Sequence, residues 1–249
     1  MPDVLIKARN IKPQTTDTQS SMAADIDILA GNIYGFIGPD CSQVSAWLQT
    51  LAAIEPPASG EVLFMDKKTT NIDRNSWQAL RNSIAYLNSR SALVSVLSTQ
   101  ENILLPALYH KLATRETLLD QMSILLKEIG FSDMENLVKL PAYLDEVSYS
   151  QAMLVRVALT KPRVVVIDNT LRHFDERISR KMLAFLKYYI ANTQASLLLQ
   201  DDDAHFVLNN ATKFVFIDEN SLLQFNTRID LQSSTNISAL HYLHELTAH

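Results

Sequence analysis

Glycine is scarce in this chain, with five glycines among 249 residues, whereas an average usage of about 7% would give about 17. An enzyme built on glycine-rich phosphate loops is therefore not expected from composition alone. The single cysteine, Cys41, excludes an internal disulfide framework and fits a reducing compartment. The N-terminus has no apolar run that would predict a signal peptide. No stretch approaches the roughly 20 apolar residues of a membrane span.

Positive charge is also in short supply, because 22 Lys and Arg residues face 27 Asp and Glu residues and leave a net charge of −5. A nucleic-acid partner is not expected, since binding to a phosphate backbone usually needs a basic surface. Apolar residues make up 47% of the chain, an ordinary globular composition that can bury a sizeable core. At about 150 residues per domain, the chain holds one or two domains.

Strand-like and helix-like segments alternate along the chain. The alternating residues 4–8 predict an edge strand, and the runs VVVID, SLLLQ and KFVFID are continuous apolar segments typical of buried parallel strands. Helical periodicity dominates residues 92–142, where an apolar stripe that starts at Leu118 ends at Gly130 in the C′ position. The sequence therefore predicts an α/β fold with a mostly parallel sheet and a helical insertion.

The strand that ends at Gly38 runs into a helix through GPDCSQVSA, where a phosphate loop of the pattern GxxxxGK[ST] would lie. In that pattern backbone N–H groups cradle the phosphates, the lysine reaches the terminal ones, and the hydroxyl binds Mg²⁺. Gly38, Ser42 and Ser45 match the pattern, but Gln43 and Val44 replace the second glycine and the lysine. Taken alone, the segment is better interpreted as an ordinary strand–turn–helix.

The order of motifs over nearly the whole chain resembles the ATP-binding cassette of ABC transporters. GNIYGFIGPD resembles the strand into the Walker A loop, PPASGEVLFMD the segment after the first helix, and ALVSVLSTQENILLPALY the start of the helical subdomain. LPAYLDEVSYSQAMLVRVALTKPRVVVIDNTLRHFD aligns without a gap onto the stretch from the signature motif to the D-loop. In that register Leu144 begins the signature, Arg156 lies in its helix, Pro162 precedes the Walker B strand, Asp168 is the Walker B aspartate and Asp175 the D-loop aspartate.

The resemblance implies a P-loop NTPase-type fold, which combines a mostly parallel sheet with N-terminal antiparallel strands and an inserted helical subdomain. Residues 1–225 would form the cassette, with a RecA-like core at 1–90 and 160–225 and the helical subdomain at 90–160. Residues 226–249 would form a C-terminal tail with a short helix. The tail is similar to that of cassettes in phospholipid-trafficking, MCE-associated systems, and the ENILLPALY segment is similar to those and to lipoprotein-release cassettes.

Most catalytic positions of the family are replaced when its motifs are carried onto this sequence. The Walker A lysine, the Q-loop glutamine, the glutamate after Walker B and the switch histidine align with Val44, Ser89 (or Asn88 if shifted by one), Asn169 and Asp201. An asparagine can hydrogen-bond but cannot act as a general base. The signature-equivalent segment is Leu144, Asp145, Glu146, Val147 and Ser148. Its two carboxylates would repel a triphosphate.

The retained positions still leave a possible nucleotide site. Any residual nucleotide binding would use Gly38, Pro39, Asp40, Cys41, Ser42, Gln43, Val44, Ser45 and Ala46. Mg²⁺ would then bind to Ser45 and Asp168. Loss of the lysine, the adenine stack and the loop fit removes on the order of 4 kcal/mol, which turns a micromolar site into a millimolar one. No cofactor is therefore expected, and ATP and Mg²⁺ enter only if this residual binding persists.

The resemblance and these losses together predict a pseudo-ATPase subunit of an ABC transporter, with a scaffold or regulatory role and lipid transport as one candidate process. Its partners would be a membrane permease and a second cassette, in a homodimer or in a heterodimer with an active ATPase. Its place would be cytoplasmic, on the inner face of the membrane. Two alternatives stay open: an active or slow ATPase that energises a permease, and a stand-alone binding module.

Residues 201–203 are three consecutive aspartates. Such a run favours a solvated loop and a helix N-cap over a metal site.

Overall fold

The structure, a computed structural model, describes residues 3–14, 22–88, 92–169 and 176–247. The strands are β1 (Val4–Lys12), β2 (Ala24–Leu29), β3 (Ile33–Ile37), β4 (Ser59–Phe64), β5 (Lys67–Lys68), β6 (Ile84–Asn88), β7 (Val164–Asp168), β8 (Ser196–Gln200), β9 (Lys213–Ile217) and β10 (Leu222–Phe225). The helices are α1 (Cys41–Leu51), α2 (Arg74–Ser83), α3 (Thr99–Tyr109), α4 (Arg115–Ile129), α5 (Glu146–Leu159), α6 (Glu176–Thr193), α7 (Ala204–Asn210), α8 (Arg228–Gln232) and α9 (Ile237–Thr247). Two short 3-10 helices, Met134–Leu137 and Pro141–Tyr143, lie between α4 and α5.

The chain divides into two compact units. The first comprises residues 1–89, 163–172 and 194–249, and the second comprises residues 90–162 and 173–193. The boundaries drawn from the sequence for the cassette core, the helical subdomain and the tail stay a prediction. None of the helices among the described residues is both long and apolar enough to span a bilayer.

An antiparallel sheet in the first unit has the strand order β2-β1-β4-β5. The prediction that residues 4–8 form an edge strand was wrong, because β1 pairs with β2 on one side and with β4 on the other. The alternation of apolar and polar residues in β1 indicates that one face of the strand is buried. It does not indicate whether the strand has one or two hydrogen-bonded neighbours in the sheet.

The six-stranded sheet of the first unit has the order β10-β9-β3-β8-β7-β6. Four of its five pairings are parallel, and the edge pair β10–β9 is antiparallel. The predicted α/β fold with a mostly parallel sheet and N-terminal antiparallel strands is confirmed. Parallel strands end at one edge of the sheet, so the residues that follow β3 and β7 lie near each other, where open α/β sheets bind ligands.

The second unit is built of the helices α3 to α6. The α4 helix ends at Gly130, which has a φ of +74° in the left-handed region and donates its N–H to the carbonyls of Leu126 and Lys127. The predicted C-terminal glycine of this helix is therefore confirmed. In the same unit, Ser98 and Glu101 form a capping box at the start of α3.

Candidate functional site

The turn between β3 and α1 is held by a close approach of two strands. A Cβ atom placed on Gly38 would lie 2.1 Å from the carbonyl oxygen of Ile217, at the end of β9. Glycine is therefore required here because the neighbouring backbone leaves no room for a side chain. This packing reason accounts for the retention of Gly38 without a bound phosphate.

The first turn of α1 is occupied by the carboxylate of Asp40. One oxygen of that carboxylate, Oδ1, accepts hydrogen bonds from the Ser42 N–H at 2.8 Å, the Ser42 hydroxyl at 2.7 Å and the Gln43 N–H at 3.4 Å. The hydrogen bonds from Ser42 hold the pKa of the Asp40 carboxyl below its ordinary value. A helix N-terminus attracts an anion. In this protein, a carboxylate of the chain itself fills that place.

Val44, which aligns with the Walker A lysine in the sequence comparison, faces the hydrophobic core. Val44 is 1% exposed and belongs to the same buried cluster as Trp47, Leu48 and Leu51 of α1. These spacings of three, four and seven residues place the four side chains on one face of the helix. The neighbouring Gln43 turns away from this face, and its side-chain amide donates to the carbonyl of Asp218 at 3.1 Å.

Asp168, at the end of β7, is tied to two hydroxyl groups. The Ser45 hydroxyl donates to its Oδ1 at 2.7 Å, and the Tyr86 hydroxyl donates to its Oδ2. The Asp168 side chain is nearly out of solvent, at 5% exposure. Burial and the adjacent carboxylate both raise the pKa of Tyr86, so this hydroxyl stays a donor. The two side chains predicted to bind Mg²⁺, Ser45 and Asp168, are hydrogen-bonded directly to each other.

Asn169 follows β7 in a left-handed backbone conformation, with a φ of +52°. Asparagine tolerates this conformation better than most residues other than glycine. Its side-chain amide donates to Asp202 Oδ1 at 3.0 Å, and its Oδ1 accepts from the Asp202 N–H at 3.3 Å. The side chain that aligns with the catalytic glutamate is thereby committed to a neighbouring loop.

The acidic run at residues 201–203 is mostly structural. Asp203 caps α7 by accepting from the Phe206 N–H at 3.2 Å, which confirms the predicted N-cap. The expectation of a fully solvated loop was wrong for Asp201, which is 6% exposed and accepts from the Asp203 N–H at 3.0 Å. Among the described residues, no group of three or more His, Cys, Asp or Glu side chains is arranged to hold a metal ion.

In the second unit, Asp145 caps α5 in the same way that Asp40 caps α1. Its carboxylate accepts from the Ser148 N–H at 2.9 Å and from the Ser148 hydroxyl at 2.7 Å. These hydrogen bonds hold the pKa of Asp145 below its ordinary value. The Asn136 amide donates to the Ser148 hydroxyl at 2.9 Å, and the Lys139 ammonium donates to Asn136 at 2.6 Å. This segment is therefore held by a side-chain network of its own.

Comparison with known proteins identifies the family. The family model described as ABC transporter matches residues 22–172. The chain belongs to the ABC transporter family. The methionine import ATP-binding protein MetN of Rhizobium johnstonii is 23% identical over 220 residues, which cover 88% of this chain and 60% of that protein. The chain thus spans about 60% of the length of this relative.

Solved structures support the ATP-binding cassette fold that the resemblance implied. The structure of cbiO1 from Clostridium perfringens, part of the ABC transporter complex cbiONQ, has a TM-score of 0.77 at 18% identity. The structure of an ATP binding subunit of an ABC transporter has a TM-score of 0.79 at 18% identity. Each comparison covers 98% of this chain and 99% of the other chain. At this identity the likeness shows the fold.

The cassette motifs of this ABC transporter chain fall into two groups in the structure. The first unit brings the 38–46 segment together with Asp168, Asn169 and Asp201. The signature-equivalent residues 144–148 belong to the second unit. Ser89 and Asp175 lie outside the described residues, and Asn88, the alternative Q-loop position, pairs in register with Asp168. Sequence reasoning missed Tyr86, because nothing in the strand IAYLN marks its hydroxyl as a partner of Asp168.

Proposed function

We propose that this chain is a cassette subunit of an ABC transporter that neither binds nor hydrolyses ATP. The observation that carries the proposal is the Asp40 carboxylate, which accepts hydrogen bonds from Ser42 and Gln43 at the start of α1. Phosphate-binding helices present free N–H groups to an anion at this place. A nucleotide would have to displace Asp40 and then remain beside it.

The electrostatic cost of such a displacement is large compared with a typical binding energy. Two like unit charges about 4 Å apart repel by about 4 kcal/mol at an effective dielectric constant of 20. A micromolar site has a binding free energy of about −8 kcal/mol. No lysine offsets the repulsion at position 44, since Val44 is buried in the core. Asp145 and Glu146 add two further carboxylates in the signature-equivalent segment.

The proposed absence of hydrolysis has a separate chemical basis. A water molecule that attacks the terminal phosphate needs a residue that polarises it. Asn169 cannot accept a proton, and both its amide nitrogen and its amide oxygen are hydrogen-bonded to Asp202. A cassette subunit of this kind would act as a scaffold or regulator beside a second cassette, either a copy of itself or an active ATPase, on the cytoplasmic face of a membrane.

Thermal unfolding with and without about 1 mM Mg-ATP tests the proposal. We expect no shift in the melting temperature and no turnover above background. A site with a dissociation constant of about 10 µM would stabilise the fold by about 2.7 kcal/mol under these conditions, and a chain of this size would melt about 5–10 °C higher. A saturable shift of that size, or steady turnover, would instead favour the alternative of an active or slow ATPase.

A membrane permease is the proposed partner of the second unit. Large apolar side chains are exposed on α3, where Leu105 and Tyr109 lie one turn apart, and Leu112 is exposed just after the helix ends. Val94 and Val96, just before the helix, are exposed as well. Such exposed apolar side chains support a surface that contacts another protein, and membership of the ABC transporter family favours a permease as that protein.

We expect Leu105→Asp to abolish co-purification of a permease when the chain is expressed in its native host. Ile124→Asp on α4 is the matched control, because Leu105 and Ile124 are 43% and 59% exposed on helices of the same unit. Equal recovery with both variants would contradict the docking surface, and recovery of no membrane protein with the wild type would favour a stand-alone module. Lipid transport is the substrate class predicted from the sequence, and lipid bound to the recovered complex would support it. The MetN relatives are named for methionine import, so methionine is the competing substrate.

A further inference from the structure

The C-terminal helix α9 returns to the turn between β3 and α1. Its Tyr242 packs against Phe216 of β9, with ring centroids 5.7 Å apart and the rings tilted by 54°. Burial, followed by the nearby Cys41 thiol, raises the pKa of Tyr242 to about 12, while a hydrogen bond from the Gly38 backbone works in the opposite direction. Phe216 pairs in register with Ile37, the residue before Gly38, so the Tyr242 ring lies beside the start of the 38–41 turn.

The helix is attached to the first unit on both sides of Tyr242. At its start, the Asn236 side chain caps the helix by accepting from the Ala239 N–H at 2.9 Å, and Ala239, which is fully buried, packs against the rest of the first unit. Near its end, the His205 ring nitrogen Nε2 lies 3.0 Å from the carbonyl oxygen of Leu246 and so joins α9 to α7. These contacts hold Tyr242 over the turn rather than leave it on a free tail.

We propose that α9 is a built-in latch whose Tyr242 side chain holds the 38–41 turn closed. The inference rests on the proposed function, because the closed turn is the one in which Asp40 fills the start of α1. Among the described side chains of α9, Ala239 alone is fully buried. An element with so few buried side chains opens at a lower free energy than the strands it covers. Release of the latch is therefore a local event that exposes the turn while the sheet stays folded.

The single cysteine of the chain is a natural reporter of this event. Cys41 is partly buried at the first position of α1. Burial is the main cause that raises the pKa of its thiol, and the carboxylates of Asp40, Asp201 and Asp168 add to the rise. Because the thiolate is the reactive form, Cys41 should label slowly while the latch is closed. Opening increases access to the sulfur and returns the pKa toward its ordinary value.

The experiment measures the rate at which a small thiol reagent labels Cys41 in the full-length wild type and in Tyr242→Ala. We expect labelling to be about tenfold faster in the variant, which corresponds to opening that is easier by about 1.4 kcal/mol. Leu240→Ala is the matched control, since this exposed residue lies on the same helix. We expect Leu240→Ala to be labelled at the wild-type rate. Tyr242→Phe keeps the ring on Phe216 and removes the hydroxyl beside Gly38, so its labelling rate should lie between those of the wild type and Tyr242→Ala.

Circular dichroism shows whether each variant is folded, and Tyr242→Phe decides the test if Tyr242→Ala is not. Equal labelling rates in Tyr242→Phe, Leu240→Ala and the wild type would overturn the latch. The same reporter separates this proposal from the proposed function. Slower labelling of the wild type in Mg-ATP would show a nucleotide over the turn and contradict the proposed function, whereas the rate ratio between variants without nucleotide tests the latch alone.

Discussion

Replacing Val44 with lysine is expected to lower the free energy of unfolding by about 3 kcal/mol or more and to leave nucleotide binding absent. Val44 is 1% exposed and lies among the apolar side chains of α1 and the sheet. A lysine there must bury an ammonium group without a partner or force the helix to shift, and both outcomes are strongly destabilising. A sequence-based repair of the Walker A motif would thus damage the fold.

Urea unfolding measures this effect, with Ala46→Lys as the control. Ala46 is a partly exposed position of the same helix, so a lysine there tests the cost of an added charge without burial. Val44→Leu adds a second comparison, because it keeps the site apolar and its extra methylene should cost about 1–3 kcal/mol without any buried charge. If Val44→Lys proves as stable as Ala46→Lys and also gains an ATP-dependent rise in melting temperature, position 44 faces a ligand and this account is wrong.

Replacing Asp168 with alanine is expected to cost about 3 kcal/mol of stability in the absence of any metal. The carboxylate accepts hydrogen bonds from Ser45 and from Tyr86, and it is buried. A hydrogen bond to a charged group contributes about 1.5–3 kcal/mol, and its loss leaves two partly buried hydroxyl groups without this acceptor. In this protein the Walker B aspartate would therefore serve to join β7, α1 and β6.

A double-mutant cycle separates this structural role from a role in metal binding. Ser45→Ala and Tyr86→Phe, each combined with Asp168→Ala, should show a coupling energy of about 1 kcal/mol or more, because the paired side chains are in contact. The measurement is equilibrium unfolding with chelator and again with about 5 mM MgCl₂. A resident Mg²⁺ site predicts a different pattern, in which Mg²⁺ stabilises the wild type and Asp168→Ala costs little in the presence of chelator.

The positions predicted from the family motifs to contact nucleotide share one structural pattern. Position 44 carries a core side chain, position 168 holds three elements together, and Asp40 and Asp145 cap their own helices. Each of these side chains contacts other groups of the same chain. The same residues would be read as simple losses if only the family motif were compared, whereas the contacts indicate that they stabilise the fold.

Several features could be predicted from the sequence because they depend on local order along the chain. The apolar runs at 164–168 and 196–200 are parallel strands buried on both faces, and such strands show as continuous hydrophobic segments. Gly130 ends α4 because the chain leaves the helix through a left-handed backbone conformation, which glycine adopts without a steric cost. The ungapped register of the cassette motifs likewise needs only sequence spacing, and it led to the correct family.

Tertiary structure decided which partner each side chain meets. Ser45 meets Asp168 across 123 residues of chain, Tyr86 meets it across 82, and Tyr242 reaches Phe216 from the last helix. Hydrogen bonds and ring contacts form between groups that the folded backbone brings within a few ångströms, and residue spacing does not encode such meetings. The sequence by itself therefore determined the family and the fold class, and it predicts the replacement of the catalytic residue types. Only the packed sheet decided that Val44 faces the core, that β1 is an inner strand, and that Asp40 and Asp168 are already partnered within the chain.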